Sequence, residues 1–244
     1  MNGVTLTGKT DGPAVLLLHG GVINRHMWKP VTDRLEDRFR LISIDLPGHG
    51  DLQDKPFSIE SAVERAVDVM DSLGVSGAVL VGLSMGGYVA QGVAATHPDR
   101  VSGLVLSGAT IRYMGWDGWS TRLYGMVFPV VARPAHKAFV KQMAKLGPDI
   151  ANPIIEGGLS MKGGGQALRR LPGRDYAAEM AGFSGPVTIA NGERDEGNRE
   201  HELYFREHHP DARFVVIEDA GHACALQQPV DFADVVAQLM TEVS

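Results

Sequence analysis

VLVGLSMGGYVA, residues 79–90, is the stretch on which the reading of this chain turns. An apolar run leads into Gly82-Leu83-Ser84-Met85-Gly86, a match to G-x-S-x-G, and a helix-compatible apolar stretch follows at once. The order is strand, sharp turn, helix. A serine at the tip of such a turn is expected to take a strained backbone with φ > 0, at a cost on the order of 1–3 kcal/mol, which chains retain where the side chain has a use. Gly82 and Gly86 lie two residues to either side, where strand and helix pass too closely for a Cβ, and Gly87 widens the gap. The Ser84 hydroxyl is thereby predicted to project above a sheet at a helix N-terminus, where unpaired N–H groups and the dipole favour a developing oxyanion.

Working outward, the same rhythm of apolar strand and amphipathic helix continues on both sides. Strands are predicted at 14–18, running into His19-Gly20-Gly21-Val22, at 39–44, ending in Asp45-Leu46-Pro47-Gly48-His49-Gly50, and at 101–106. Ser58 reads as the N-cap of a helix reaching residue 73. Strands this apolar, alternating with helices, predict a parallel sheet covered on both faces. A short strand at 4–7 and an Asp-Gly turn within 9–12 predict an N-terminal hairpin with strand 14–18. The rhythm breaks at 111–184, which holds Trp116, Trp119, Tyr124 and Phe128 and three consecutive glycines at 163–165. Its clearest helix is 134–146, with Phe139, Met143 and Leu146 on one stripe and Lys137, Lys141 and Lys145 on another. Regular structure resumes with a strand at 187–190 followed by Asn191-Gly192-Glu193-Arg194-Asp195, a helix at 200–207, a strand at 214–217 followed by Glu218-Asp219-Ala220-Gly221-His222, and a closing helix at 230–240.

The elbow, the His19-Gly20-Gly21 segment, the Asp45-to-Gly50 string and the chain order Ser84, Asp195, His222 are together similar to the α/β-hydrolase fold family. The resemblance implies a mostly parallel sheet with helices on both faces, a core at 1–110 and 185–244, and a helical cap at 111–184. It implies Ser84 as nucleophile, His222 as base and Asp195 as the acid that orients it, with the backbone N–H groups of Gly21 and Met85 as the oxyanion hole. A cap folded over the serine is expected to line an apolar pocket with Trp116, Trp119, Tyr124, Phe139 and Met143. Glu193 and Asp219 compete with Asp195 for the acid position; Asp219 belongs to the same strand-end loop as His222, and Glu193 falls two residues short. His49 reads as a brace within its loop, and Cys224, the sole cysteine, as a buried filler. Relatives often carry a glutamate in 223–229, where this chain has Gln227 and Gln228. A serine at the elbow excludes the dehalogenase and epoxide hydrolase branches, which use an aspartate there.

Composition sets the remaining bounds. With 244 residues, 44% hydrophobic and 21% charged, the chain is long and apolar enough for one globular domain with a sizeable core. No apolar run approaches the ~18–20 residues of a membrane span, and no secretory leader pattern opens the chain, so a cytoplasmic protein is expected. The net charge of −6 argues against nucleic acid as a partner, yet residues 111–184 carry ten Lys and Arg against five Asp and Glu. That basic excess reads either as a solvated face or as a mild attraction for anionic substrates. No P-loop, dinucleotide fingerprint or metal-ligand cluster occurs, so neither cofactor nor metal is implied. The expected function is a serine hydrolase cleaving small to medium apolar carboxylic esters through an acyl-enzyme, as monomer or homodimer. The alternatives are the same triad applied to lactones, thioesters, carbon–carbon bonds, perhydrolysis or hydroxynitriles, and a ligand receptor built on the fold.

Overall fold

Strand residues in this chain segregate by parity, and that sorting builds the molecule. A computed structural model describes residues 1–243. Its strands are β1 (Val4–Gly8), β2 (Ala14–Leu18), β3 (Arg40–Ile44), β4 (Ala78–Leu83), β5 (Val101–Ser107), β6 (Val187–Gly192) and β7 (Arg213–Ile217). They form one seven-stranded sheet in the order β1-β3-β2-β4-β5-β6-β7. Every pairing is parallel except β1 with β3. The helices are α1 (Lys29–Leu35), α2 (Ile59–Ser72), α3 (Met85–Thr96), α4 (Gly115–Met143), α5 (Pro148–Glu156), α6 (Met161–Arg170), α7 (Tyr176–Glu179), α8 (Glu196–Glu200), α9 (Glu202–His208), α10 (Cys224–Gln227) and α11 (Pro229–Glu242).

Because successive side chains on a strand point to opposite faces, each central strand feeds two cores. Leu16, Leu18, Ile42, Leu80 and Leu104 join Val63, Met70, Tyr88 and Val89 from α2 and α3. Val15, Leu17, Leu41, Val79 and Val105 join Val31 and Leu35 of α1 and Phe232 and Val236 of α11 on the other side. Burying both faces is what makes these strands almost continuously apolar. The start of α2 is secured by the Ser58 side chain, which accepts from the Ser61 N–H while the Ser61 hydroxyl accepts from the Ser58 N–H.

Two expectations about pairing and helix extent need correction. The N-terminal hairpin does not form: β1 pairs antiparallel with β3, Val4 opposite Ile44 and Gly8 opposite Arg40. Both edges of β2 are taken by β3 and β4 in parallel, so the turn after β1 carries the chain across the start of β3 instead. Lys9 donates to the Phe39 carbonyl at 2.9 Å and Arg40 to the Pro13 carbonyl at 3.0 Å along that crossing. The second concerns the insert between β5 and β6, where the helix expected at 134–146 begins at Gly115 and yields to a 3₁₀ turn over Ala144–Leu146. The glycine run 163–165 lies inside α6. A Cβ on Gly163 would stand 2.3 Å from the Gly48 carbonyl oxygen, and one on Gly164 2.5 Å from Val22 Cγ2, so the glycines let α6 press against two strand-end loops.

Candidate active site

The turn after β4 takes the conformation its glycines permit. Ser84 has φ 52 and ψ −118, and its N–H donates to the Ser107 carbonyl at 2.7 Å. A Cβ on Gly82 would lie 2.5 Å from the Gly86 oxygen, on Gly86 2.1 Å from the Leu18 oxygen, and on Gly87 2.4 Å from the Ala109 Cβ. Strand, helix and neighbouring strands therefore converge only if all three positions lack side chains. The strain is localised on Ser84, which the turn lifts out of the sheet.

His222 and Asp195 reach the same rim from the ends of β7 and β6. His222 Nε2 lies 3.0 Å from Ser84 Oγ and Nδ1 lies 2.9 Å from Asp195 Oδ2. Since a carboxylate only accepts, Nδ1 carries the proton and Nε2 is free to accept from the serine hydroxyl. Burial pushes the Asp195 carboxyl upward, but the hydrogen bond and charge of His222, with the side-chain and backbone N–H groups of Asn198, hold it below the usual carboxylate value. Gln227 accepts from the Gly221 N–H at 2.7 Å and so braces the loop bearing His222.

Three residues at this rim escaped the sequence reading. Asn198 is buried; its Nδ2 donates to both Asp195 oxygens, at 3.2 and 3.1 Å, and its Oδ1 accepts from the Thr110 N–H at 3.0 Å. The Thr110 hydroxyl donates to the Asn198 carbonyl at 2.7 Å, tying the neighbour of Asp195 to the loop after β5. Gly108, at φ +59, lies against the imidazole, where a Cβ would be 2.6 Å from His222 Cε1. Its N–H donates to Asn191 Oδ1 at 2.8 Å, and Asn191 in turn donates to Glu202. The available signals were an asparagine one helical turn past Asp195 and a Ser-Gly pair closing an apolar strand.

The competing residues lie elsewhere. Glu193 accepts from the Asp219 N–H at 3.2 Å, and Asp219 pairs with Arg194 on the surface, away from His222. His19 is fully buried, donating from Nδ1 to the Gly20 carbonyl and accepting the Leu46 N–H on Nε2; burial drives its pKa down to about 4. Burial, then the neighbouring His19, lowers His49 to about 3 while its Nδ1 bonds the Pro47 carbonyl. His19 is thus a neutral brace between the ends of β2 and β3, and His49 one within its own loop. Cys224 is buried 3.1 Å from Ser107 Oγ, with burial pushing the thiol up to about 11.

A cavity of about 320 Å³ opens above Ser84. Gly21, Met85, Ser84 and His222 line its base, and Phe128, Phe139, Met143, Leu168 and Leu171 line its walls. Its polar lining groups are Ser84, Tyr113, Gln142, His222 and Gln227; among the described residues no Lys, Arg, Asp or Glu lines it. Phe139 and Met143 face the cavity as expected, but Trp116, Trp119 and Tyr124 do not line it. Because α4 starts at Gly115, its rotation turns Trp116 and Trp119 outward, where their rings stack with centroids 5.1 Å apart, and supplies Phe128 in their place. Val22, a β-branched residue at φ 73 beside Gly21, is held by the insert, since its carbonyl accepts the Ser160 N–H at 2.7 Å.

Comparison with known proteins agrees with this architecture. Residues 15–235 match the model of the alpha/beta hydrolase family. A pimeloyl-[acyl-carrier protein] methyl ester esterase of Neisseria meningitidis serogroup C is 31% identical over 90% of this chain and 90% of its own. The 3-oxoadipate enol-lactonase 1 of Acinetobacter baylyi is 22% identical over 95% of this chain and 90% of its own. Among solved structures, a thermophilic esterase from Thermogutta terrifontis superposes with a TM-score of 0.82 at 28% identity, covering 98% of this chain and 93% of that one. Strand order, elbow and family match together place the chain in the alpha/beta hydrolase family.

Proposed function

We propose that this protein is a serine esterase acting on small to medium, uncharged acyl esters. The observation that carries the reading is the continuous line from Asp195 through His222 to Ser84, 2.9 and 3.0 Å long, at the base of a cavity without charged side chains in its lining. An unaided serine is too weakly acidic to attack a carbonyl, and His222 Nε2 is placed to take its proton as the bond to carbon forms. Asp195 fixes the tautomer and stabilises the imidazolium without itself taking the proton. The tetrahedral oxyanion is assigned to the N–H groups of Gly21 and Met85, which flank Ser84 at the base. His222 then protonates the departing alcohol, leaving an acyl-Ser84 that a water activated by the same imidazole hydrolyses. Residues 111–184 serve as the cap, with α4 and α6 shaping the acyl site.

Relatives named as an esterase and an enol-lactonase support ester or lactone cleavage. A strongly anionic substrate is disfavoured, since the basic residues of the insert stand outside the cavity and a buried carboxylate would lack a partner. The test is turnover of p-nitrophenyl acetate and butyrate together with fluorophosphonate labelling of Ser84. Ser84→Ala is expected to lose the label and at least ~10³-fold in rate. Equal turnover in that variant overturns the reading.

A further inference from the structure

The rotation of α4 that turns Phe128, Phe139 and Met143 inward leaves its other side without a partner. Trp116, Trp119, Leu123, Val127 and Val130 recur on that side at helical spacing and are 74, 56, 40, 47 and 83% exposed. From the first to the last the stripe runs about 21 Å at 1.5 Å per residue. Single exposed apolar side chains need no account, whereas a contiguous stripe marks an interaction surface. The same side continues into Lys137 and Lys141, with Arg133 and Lys145 nearby, all exposed. Residues 118–148 contain no Asp or Glu, in a chain of net charge −6. Arg133, Lys137, Lys141 and Lys145 take no part in the ion pairs found among the described residues.

We propose that this face of α4 docks on an anionic phospholipid bilayer. Such a surface supplies, over the full length of the helix, an apolar boundary for Leu123, Val127 and Val130, a headgroup layer for the tryptophans, and phosphates for the cations. A second copy of the chain fits less well, since face-to-face contact would set two cationic stretches, each free of acidic residues over 118–148, side by side. An acidic protein would answer the cations but offer the apolar stripe less. The remainder of the molecule carries the excess of acidic residues and is repelled by the same bilayer, so only one orientation is favoured. In that orientation the inner face of the docked helix walls the cavity, and apolar substrate is drawn from the lipid phase. The docking does not depend on the hydrolytic assignment.

The test is flotation of the full chain with vesicles of phosphatidylcholine, with and without phosphatidylglycerol, while tryptophan emission is recorded. Trp28 is fully buried, so a blue shift reports Trp116 and Trp119. Binding to the anionic vesicles alone, a blue shift, quenching by brominated lipid and release by high salt are expected. The double variants Val127→Glu with Val130→Glu and Lys137→Glu with Lys141→Glu are each expected to weaken partitioning at least ~10-fold. Turnover of p-nitrophenyl butyrate in free solution and the melting curve should stay as in the parent. Should the glutamate variants unfold, brominated-lipid quenching of the parent protein decides alone. No association with anionic vesicles, no quenching, or a dimer that Val130→Glu dissolves overturns the proposal.

Discussion

His222 is held from three directions: Asp195 on Nδ1, Gly108 against the ring, and the Gln227-braced loop behind it. Gly108→Ala is expected to fold yet lose on the order of 10²-fold in kcat, because its Cβ would displace the ring and small misplacements at a reacting centre are costly. Steady-state kinetics beside a thermal melt check this. Asn198→Ala removes two hydrogen bonds from Asp195 and leaves the Thr110 N–H without its acceptor, while the Thr110 hydroxyl keeps the residue 198 carbonyl, and should lower kcat about tenfold with little change in KM because orientation of His222 matters mainly in the transition state. The buried histidines set the acid side of stability. His19 near 4 and His49 near 3 lie below the ~6.5 of an unfolded histidine, so the folded chain binds fewer protons and stability falls as pH drops from about 6.5 toward those values. The slope is on the order of 1 kcal/mol per pH unit for each. Urea midpoints at pH 7 and pH 5 should therefore differ, and His19→Gln should narrow the gap while lowering the midpoint at pH 7. Asp195 acts in a lower window, since its depressed value preserves its contribution until the carboxylate itself protonates.

Among the elements, α6 shows how a glycine run becomes a helix when the tertiary contact demands it. Gly163→Ala would drive a Cβ against the Gly48 carbonyl and the His49 ring, at an expected ~1–3 kcal/mol. For a chain of this size each kcal/mol lowers Tm by roughly 2–4 °C, which calorimetry can read. The central strands, α2 with its serine cap and the elbow helix were legible because each follows from local periodicity or turn chemistry. The partner of β1 was not, since a turn signal specifies reversal of the chain but not which free edge receives the strand. The start of α4 was hidden for a related reason: glycines are poor helix formers in isolation, and Gly118 and Gly125 are accepted because Tyr113 and Leu168 approach closely there.

At the scale of the molecule, a parallel sheet gathers the ends of β2, β4, β5, β6 and β7 at one rim and so brings together groups as far apart in sequence as Ser84 and His222. The uncharged lining predicts that p-nitrophenyl butyrate is turned over at least ~10-fold faster, in kcat/KM, than a hemisuccinate ester of the same alcohol, because the added carboxylate enters the cavity unpaired. Comparing the two under identical conditions checks this. The amino-acid order alone determined the strand-turn-helix around Ser84 and the glycines that permit it, because these depend on a few bonds of separation and on backbone sterics. Only the folded molecule decided that Asn198, Thr110 and Gly108 enclose Asp195 and His222, that Phe128 rather than Trp116 or Trp119 lines the cavity, and that β1 joins β3. Those outcomes rest on how a long helix is rotated and which distant surfaces meet, and no local pattern encodes them.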